Sequence, residues 1–210
     1  MDSSEFIDRV RADNETALDR LGSEKALVAT TRAALDRETV LETAAEAEAR
    51  AAATFETWAD DEADDEARAA FAEAADRERD HSERVSALGE VGAVNPSPDD
   101  LHEHLRGLDD TVARVGAGLV ARPLVASRSL LQVINFFVNE GDNAAAETFR
   151  DLRAETDEQV ETGAALLDAV CESDDDRKRA AVAAGEAIDA AYAEYADSLD
   201  SLGIDPKPVC

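Results

Sequence analysis

The sequence predicts an all-α protein, and its composition and its periodicity both point to that fold class. Alanine dominates the 210 residues, aromatic residues make up only 4%, and glycine and proline are few. Alanine is the strongest helix former, whereas strands are built mainly from β-branched and aromatic residues. Apolar residues also recur at helical spacing along several long segments. A chain of this length has enough residues for one domain with a substantial core.

In the first half of the chain, helices are separated by short connections. The predicted helices are about residues 4–21, a short helix capped by Ser23, about 40–60 and about 62–88. Gly22 ends the first of them, and a turn near residues 36–39 precedes the third. The acidic run 60–66 is expected to be a solvated connection and the start of the fourth helix.

In the second half, proline and glycine mark most of the predicted boundaries. The predicted helices are 98–121, 124–138, 143–170 and 174–202. Pro98 lies in the first turn of one helix, and Pro123 is expected to kink or end it. The segment 124–138 is apolar almost all round, which is typical of a central buried helix. Gly141 ends that helix.

Three polar residues fall on helix faces that the surrounding sequence predicts to be buried. Glu48 lies at the centre of the apolar stripe of the third predicted helix, and Glu78 and His81 lie on that of the fourth. The last two form a Glu-x-x-His pair, one turn apart on the same helix face. A charged group on a core-facing surface is unfavourable unless it is paired or binds a metal. Glu48, Glu78 and His81 are therefore our candidate metal ligands.

Two explanations of these three residues stay open from the sequence. A Glu on one helix and a Glu-x-x-His on its neighbour are half of the ligand set of a di-iron helix bundle. Three such donors could hold one Fe(II), Mn(II) or Zn(II) ion, with water in the remaining positions. Alternatively, a protonated His81 forms salt bridges with Glu48 and Glu78 without a metal. Of the other histidines, His102 and His104, the second is expected to be a partly buried, satisfied side chain.

The third and fourth predicted helices contain the segments E-A-R-A-A-A-T-F-E-T-W (48–58) and F-A-E-A-A-D-R-E-R-D-H (71–81). This hairpin resembles the first hairpin of rubrerythrins, which are di-iron proteins of the ferritin-like superfamily. The resemblance implies a ferritin-like four-helix bundle with extra N-terminal and C-terminal helices. It also implies that the three candidate residues are ligands, that Phe55 lines the site, and that the cofactor is iron or another divalent metal.

The second hairpin departs from the rubrerythrin pattern. The segment 138–150 looks like the turn into the fourth bundle helix, which in the family carries a second Glu-x-x-His. Here those positions are Thr156 and Gln159, which we expect to face inward, while Glu155 and Glu158 should flank the core. The predicted third bundle helix holds no Asp or Glu. The resemblance therefore implies a di-iron site that is incomplete.

The predicted organisation is one bundle with additions at both ends. Its parts are an N-terminal helical hairpin over 1–37 that packs on the bundle, a ferritin-like (rubrerythrin-like) bundle over 38–172 that includes a connecting helix 98–121, and a C-terminal helix with an extended tail over 173–210. Two cysteines are too few for a disulfide framework. Cys171 is expected to be a buried small residue at a helix end, and Cys210 a loose thiol.

The chain is strongly acidic, with 49 Asp and Glu against 21 Lys and Arg and a net charge of −28. On a well-patterned chain, this charge predicts adaptation to molar salt, where the Debye length is about 3 Å. We expect a halophilic, cytoplasmic protein that loses structure in low salt. The charge disfavours contact with nucleic-acid phosphates. No segment is expected to act as a signal peptide or a membrane span.

Two functions are compatible with these patterns. The first is a rubrerythrin-like protein with a reduced metal site, concerned with iron or peroxide handling. The second is a non-enzymatic interaction or regulatory protein that keeps the bundle without metal chemistry. The whole chain, including the I-D-P-K-P-V-C end, also looks like haloarchaeal rubrerythrin-family proteins, some of which carry a transcription antitermination label. A homodimer or a protein partner that binds helical faces is the expected assembly.

Overall fold

The computed structural model describes residues 2–95 and 97–207, and its secondary structure within them is entirely helical. The helices are α1 (Ser3–Asp13), α2 (Glu15–Leu21), α3 (Lys25–Thr30), α4 (Arg37–Asp61), α5 (Asp65–Ser86), α6 (Asp100–Arg106), α7 (Thr111–Glu140), α8 (Asn143–Val170) and α9 (Asp174–Ser201). No strand occurs in the described residues, which confirms the all-α prediction. Cys210, expected to be a loose thiol, lies outside the described residues.

Four long helices form a bundle of two helical hairpins. Helix α4 packs along α5, α7 packs along α8, and α5 contacts α8. The short helices α1 to α3 lie against α7, α8 and α9, and α9 also packs on the π-helical part of α7. Phe6 and Val10 of α1 and Ile188 of α9 are buried in the same apolar core as the bundle helices. The additions at both ends therefore share the core of the bundle.

The apolar core is divided into two clusters along the bundle axis. The large cluster contains the C-terminal half of α4, the N-terminal half of α5 and the first half of α7. The end cluster contains the opposite ends of the same helices, with Phe137 stacked on Phe149 at 5.4 Å between ring centroids. Both clusters are apolar, so the helix positions between them are where buried polar groups can meet.

The predicted helix boundaries in the N-terminal segment need two corrections. The helix expected over 4–21 is broken at Asn14, whose side chain donates a hydrogen bond to the carbonyl of Val10 at 2.8 Å. The turn expected near 36–39 lies earlier, where Arg32 and Ala33 adopt positive φ angles of 50° and 66°. Asp36 instead caps α4, accepting a hydrogen bond from the backbone of Thr39. Side-chain hydrogen bonds thus set these boundaries without any glycine or proline.

The predicted connecting helix 98–121 was wrong in its continuity and in its C-terminal end. The segment forms the short helix α6, which ends at Gly107, and a new helix starts after Asp110. That helix, α7, runs through Pro123 without interruption. Residues 115–121 before the proline are π-helical. A π-helical turn changes the hydrogen-bond spacing, and we attribute the uninterrupted passage through Pro123 to it.

Helix α7 is long and apolar enough to cross a membrane by length and composition, and no other helix of residues 2–95 and 97–207 is. In its apolar window, 78% of the residues are buried inside the protein. This burial is compatible with a core helix of a soluble protein, and it agrees with the central buried helix predicted for 124–138.

Glycines allow α7 to pack closely against its neighbours. A Cβ atom on Gly116 would lie 2.4 Å from the carbonyl oxygen of Ala180 in α9, and one on Gly163 of α8 would lie 2.4 Å from that of Leu119. Both contacts are with backbone, which cannot move aside as a flexible side chain can. The close approach of α7 to α8 and α9 therefore depends on these two glycines.

We expect Gly163→Ala to destabilise the protein by about 1–3 kcal/mol, because the added methyl group forces α8 away from α7. Gly185→Ala in α9 is the matched control, since a Cβ there would meet only the Asn14 side chain at 3.7 Å. The control should be neutral or stabilising by up to about 1 kcal/mol. Denaturant unfolding checks both values, and equal effects of the two substitutions would contradict the close-packing argument.

Candidate functional site

A polar layer separates the two apolar clusters of the bundle. Its members are buried polar residues from all four long helices: Glu48, Glu78, His81, Arg122, Thr156 and Gln159. On α4, for example, Glu48 lies between Ala45 of the end cluster and Ala51 of the large cluster. The layer is thus one cross-section of the bundle, and each helix contributes at least one polar side chain to it.

The structure brings the three predicted metal ligands together. The side chains of Glu78 and His81 have no solvent exposure, and Glu48 is 4% exposed. One ligand atom from each of the three residues lies within 4.8 Å of the others. The helix-phase argument thus located a real cluster, and by geometry this group could hold a metal ion.

The residue that sequence reasoning missed is Arg122 of α7, which is 4% exposed. Its guanidinium donates one hydrogen bond to Glu78 and a second, 3.1 Å long, to Glu48. The cation that bridges the two carboxylates is therefore Arg122, and not His81 as the metal-free alternative supposed. A signal was available, because Arg122 is a charged residue at the edge of the most apolar stretch of the chain.

The charges of this group balance inside the core. Burial and the neighbouring carboxylate of Glu78 raise the pKa of Glu48 well above its ordinary value. Burial also opposes ionisation of Glu78, but the attraction of Arg122 and a hydrogen bond with Glu48 outweigh it and lower its pKa. Glu78 is thus the anion that faces the Arg122 cation, and Glu48 keeps its proton. The buried group then carries one positive and one negative charge, and such a pair is less costly to bury than an unpaired charge.

His81 is oriented by a residue from the fourth bundle helix. Its Nε2 lies 2.8 Å from a carboxylate oxygen of Glu155, which Arg84 also binds at 2.9 Å. Hydrogen bonds from these two side chains lower the pKa of Glu155 despite partial burial, so it is an ionised acceptor and Nε2 donates. In the neutral ring, Nδ1 then carries a lone pair. Nδ1 has no hydrogen-bond partner and lies 3.8 Å from Glu78 Oε2, which also has none.

The second hairpin supplies no further metal ligand to the layer. Thr156 and Gln159 are buried, as predicted from their helix phase. The Thr156 hydroxyl donates to the carbonyl of Leu152 in its own helix, and neither polar atom of Gln159 has a protein partner. Glu158 is exposed, whereas Glu155 is half-buried and reaches the site through His81. These residues do not fit a di-iron centre, because Arg122 lies where carboxylates from α7 would be needed.

Two other expectations concern residues outside the layer. Phe55, which the resemblance to rubrerythrins implied would line the site, is buried in the large apolar cluster, where its ring contacts those of Trp58 and Phe71. His104 is half-buried, in agreement with prediction, although its Nε2 has no hydrogen-bond partner. His102, to which the sequence analysis gave no site role, is the more deeply buried of the two, at 4% exposure.

Neither the protein-family models, nor the curated proteins, nor the solved structures contain a match to this chain. The resemblance of α4 and α5 to rubrerythrins therefore stays a prediction from the sequence.

The polar layer borders a cavity of about 710 Å³ on the side where α4 faces α7. Glu48 and Arg122 are both among the residues that line it. The buried ion pair is thus adjacent to space that solvent or a ligand can enter.

We expect Arg122→Met to destabilise the protein by about 3–5 kcal/mol at pH 8, because it leaves two buried carboxyl groups without a cation. Without Arg122, ionisation of both groups becomes harder, so their pKa values in the folded state rise. A raised folded-state pKa favours folding at low pH, and that contribution is lost as the pH rises. The destabilisation of Arg122→Met relative to wild type should therefore become smaller towards pH 4. Urea unfolding of both proteins at several pH values measures it.

Removing the carboxylates together with the arginine should restore most of the lost stability. The triple variant Arg122→Met, Glu48→Gln, Glu78→Gln carries no buried charge in this part of the layer, so only unpaired amides remain. Arg128→Met, six residues further along α7, is the control for loss of a half-buried arginine. The ion-pair account fails if Arg122→Met and Arg128→Met cost the same at pH 8.

Proposed function

We propose that this chain is a ferritin-like bundle in which a buried arginine takes the place of a metal centre, and that it is a non-enzymatic interaction or regulatory protein. The observation that carries the proposal is the Arg122 guanidinium, which binds both Glu48 and Glu78. An arginine is always protonated at physiological pH, so it supplies permanently the positive charge that a metal ion would supply.

The arrangement of the helices and the sequence both support the ferritin-like part of the proposal. Helices α4, α5, α7 and α8 follow one another as two hairpins, and their polar layer lies at mid-height, where ferritin-like proteins bind metals. The segments 48–58 and 71–81 resemble the first hairpin of rubrerythrins. The net charge of −28 supports a halophilic origin and a protein partner in preference to a nucleic acid. A transcription-related role would then act through protein contacts.

A second candidate function is a mononuclear metal site of a rubrerythrin-like protein, concerned with iron or peroxide handling. Two buried atoms favour it, because Glu78 Oε2 and His81 Nδ1 face each other without hydrogen-bond partners. Arg122 borders the cavity, so its side chain has space to withdraw and free both carboxylates. Two carboxylates and one imidazole suit Fe(II), Mn(II) and Zn(II) alike, so the donor set does not select iron.

Metal binding by wild type and by Arg122→Ala distinguishes the two candidates. We expect wild type, purified in molar KCl and titrated with Co²⁺, to show no ligand-field absorption of a protein-bound ion. Arg122→Ala should bind about one Co²⁺ per chain, because the freed carboxylates of Glu48 and Glu78 regain a cation by binding it. Absorption spectra and elemental analysis after dialysis measure both.

The double variant Arg122→Ala, Glu78→Ala is the control, and it should lose the Co²⁺ that Arg122→Ala binds. Because the chain carries 49 acidic residues, weak surface binding is expected in every variant and defines the background. Stoichiometric metal in wild type that disappears in Glu78→Ala would reject the metal-free proposal in favour of the second candidate.

A further inference from the structure

One cavity in the described part of the chain has the size and lining of a small-molecule site. Its volume is about 710 Å³, within the range of roughly 300–1,000 Å³ that is usual for ligand pockets. It lies between α4 and α7, and α3, α6 and α9 contribute to its walls. Much of the wall is apolar: Leu27, Val40, Ala44, Leu101, Val125 and Leu130. An apolar ligand body would therefore be well accommodated.

One polar group in the wall is the imidazole of His102, at the start of α6. Its Nδ1 lies 2.6 Å from Asp99, while its Nε2 is buried without any hydrogen-bond partner. Burial lowers the pKa of His102 in spite of Asp99, so the ring is neutral at physiological pH. Asp99 is ionised, with a pKa of about 2, so Nδ1 donates to it. His102 Nε2 therefore carries a lone pair to which no protein group donates.

The second polar group is the carboxyl of Glu194 in α9, which accepts a hydrogen bond from the backbone of Leu101. Burial, together with the negative charges of Asp99 and Asp100, raises the pKa of Glu194 to about 7. Nearby Arg50 is already paired with Asp99 at 3.1 Å. Among the described residues, Glu194 has no ion-pair partner of its own. A bound cation would therefore favour the ionised form of this carboxyl, which its surroundings disfavour.

We propose that this cavity binds a small amphipathic amine, whose ammonium group donates hydrogen bonds to the Glu194 carboxylate and to His102 Nε2 while its hydrocarbon part packs on the apolar wall. His102 Nε2 is an acceptor without a hydrogen-bond partner, Glu194 is a carboxyl without an ion-pair partner among the described residues, and a protonated amine is a donor with a positive charge. The half-buried Arg50 and the buried Arg122 of the wall already form ion pairs with carboxylates. A carboxylate ligand would meet no unpaired buried cation.

The proposed amine contacts use other residues than the ion pair of the polar layer, although Glu48 and Arg122 line the same cavity. Glu194 and His102 come from α9 and α6, whereas the proposed function rests on residues of α4, α5 and α7. Amine binding would hold whether the three candidate ligands bind a metal or not. The two proposals can therefore fail independently.

Calorimetric titration of the full chain in molar KCl tests the site with four probes that share one alkyl chain. We expect n-octylammonium to bind one per chain, at least about tenfold more tightly than n-octanol, because only the amine pairs with Glu194. Octyltrimethylammonium should bind less tightly than n-octylammonium, since it has no N–H to donate to His102. Octanoate should not bind.

Variants distinguish this site from general attraction of cations to an acidic protein. Glu194→Gln should weaken n-octylammonium binding at least about tenfold and leave n-octanol unchanged, whereas Glu186→Gln, an exposed residue of the same helix, should change neither. Glu194→Gln should fold, because it removes a buried acidic charge. Ala126→Phe fills the cavity and should abolish binding of every probe in a protein whose circular dichroism is unchanged.

Several results would overturn the proposal. Equal affinities for n-octylammonium and n-octanol would mean that the cavity selects only for apolar surface. Equal weakening in Glu194→Gln and Glu186→Gln would assign the attraction to the overall charge. No detectable binding of n-octylammonium to folded wild type would reject the site itself.

Discussion

The contact between Arg122 and its two carboxylates is the interaction on which the rest of the core depends. Taking a charge out of water is so costly that the ionised Glu78 needs the Arg122 cation beside it in the core, and Glu48 binds the same guanidinium. Arg122 comes from a different helix hairpin, so the pairing requires α4, α5 and α7 to meet in one register. The apolar clusters above and below are built from interchangeable aliphatic residues and fix that register less strictly. The polar layer thus acts as a specificity element of the fold.

The position of Arg122 follows from how α7 packs. Gly116 and Gly163 have no side chains, so α7 packs closely against the backbone of α9 and of α8 at these two positions. The cavity lies between α7 and α4, and α9 also lines it. The Arg122 side chain borders this cavity and reaches Glu48 across it. The ion pair and the cavity thus share the same pair of facing helices.

Helix phase was sufficient to predict the fold class and five members of the polar layer, because each depends on residues within one helix. Glu48, Glu78 and His81 stood out since apolar residues surround them at helical spacing. Arg122 did not, because Pro123 suggested a helix end there, and only the π-helical turn 115–121 keeps the helix continuous. Glu155 was expected to flank the core, and its contact with His81 depends on how α5 and α8 pack. Contacts between hairpins are not encoded in the phase of either helix.

Exposed charges and buried charges of this protein respond differently to salt. The net charge of −28 lies mainly on exposed side chains, where repulsion falls with added salt because the Debye length shrinks from about 10 Å at 0.1 M to about 3 Å at 1 M. The pair formed by Arg122 and Glu78 has almost no exposure, so dissolved ions cannot come between its charges. We therefore expect added salt to change the stability of the fold through the exposed charges, and to leave the buried contact of Arg122 with Glu78 unaffected. A buried arginine suits such a contact, because it stays protonated at physiological pH and its guanidinium is bound by two carboxyl groups.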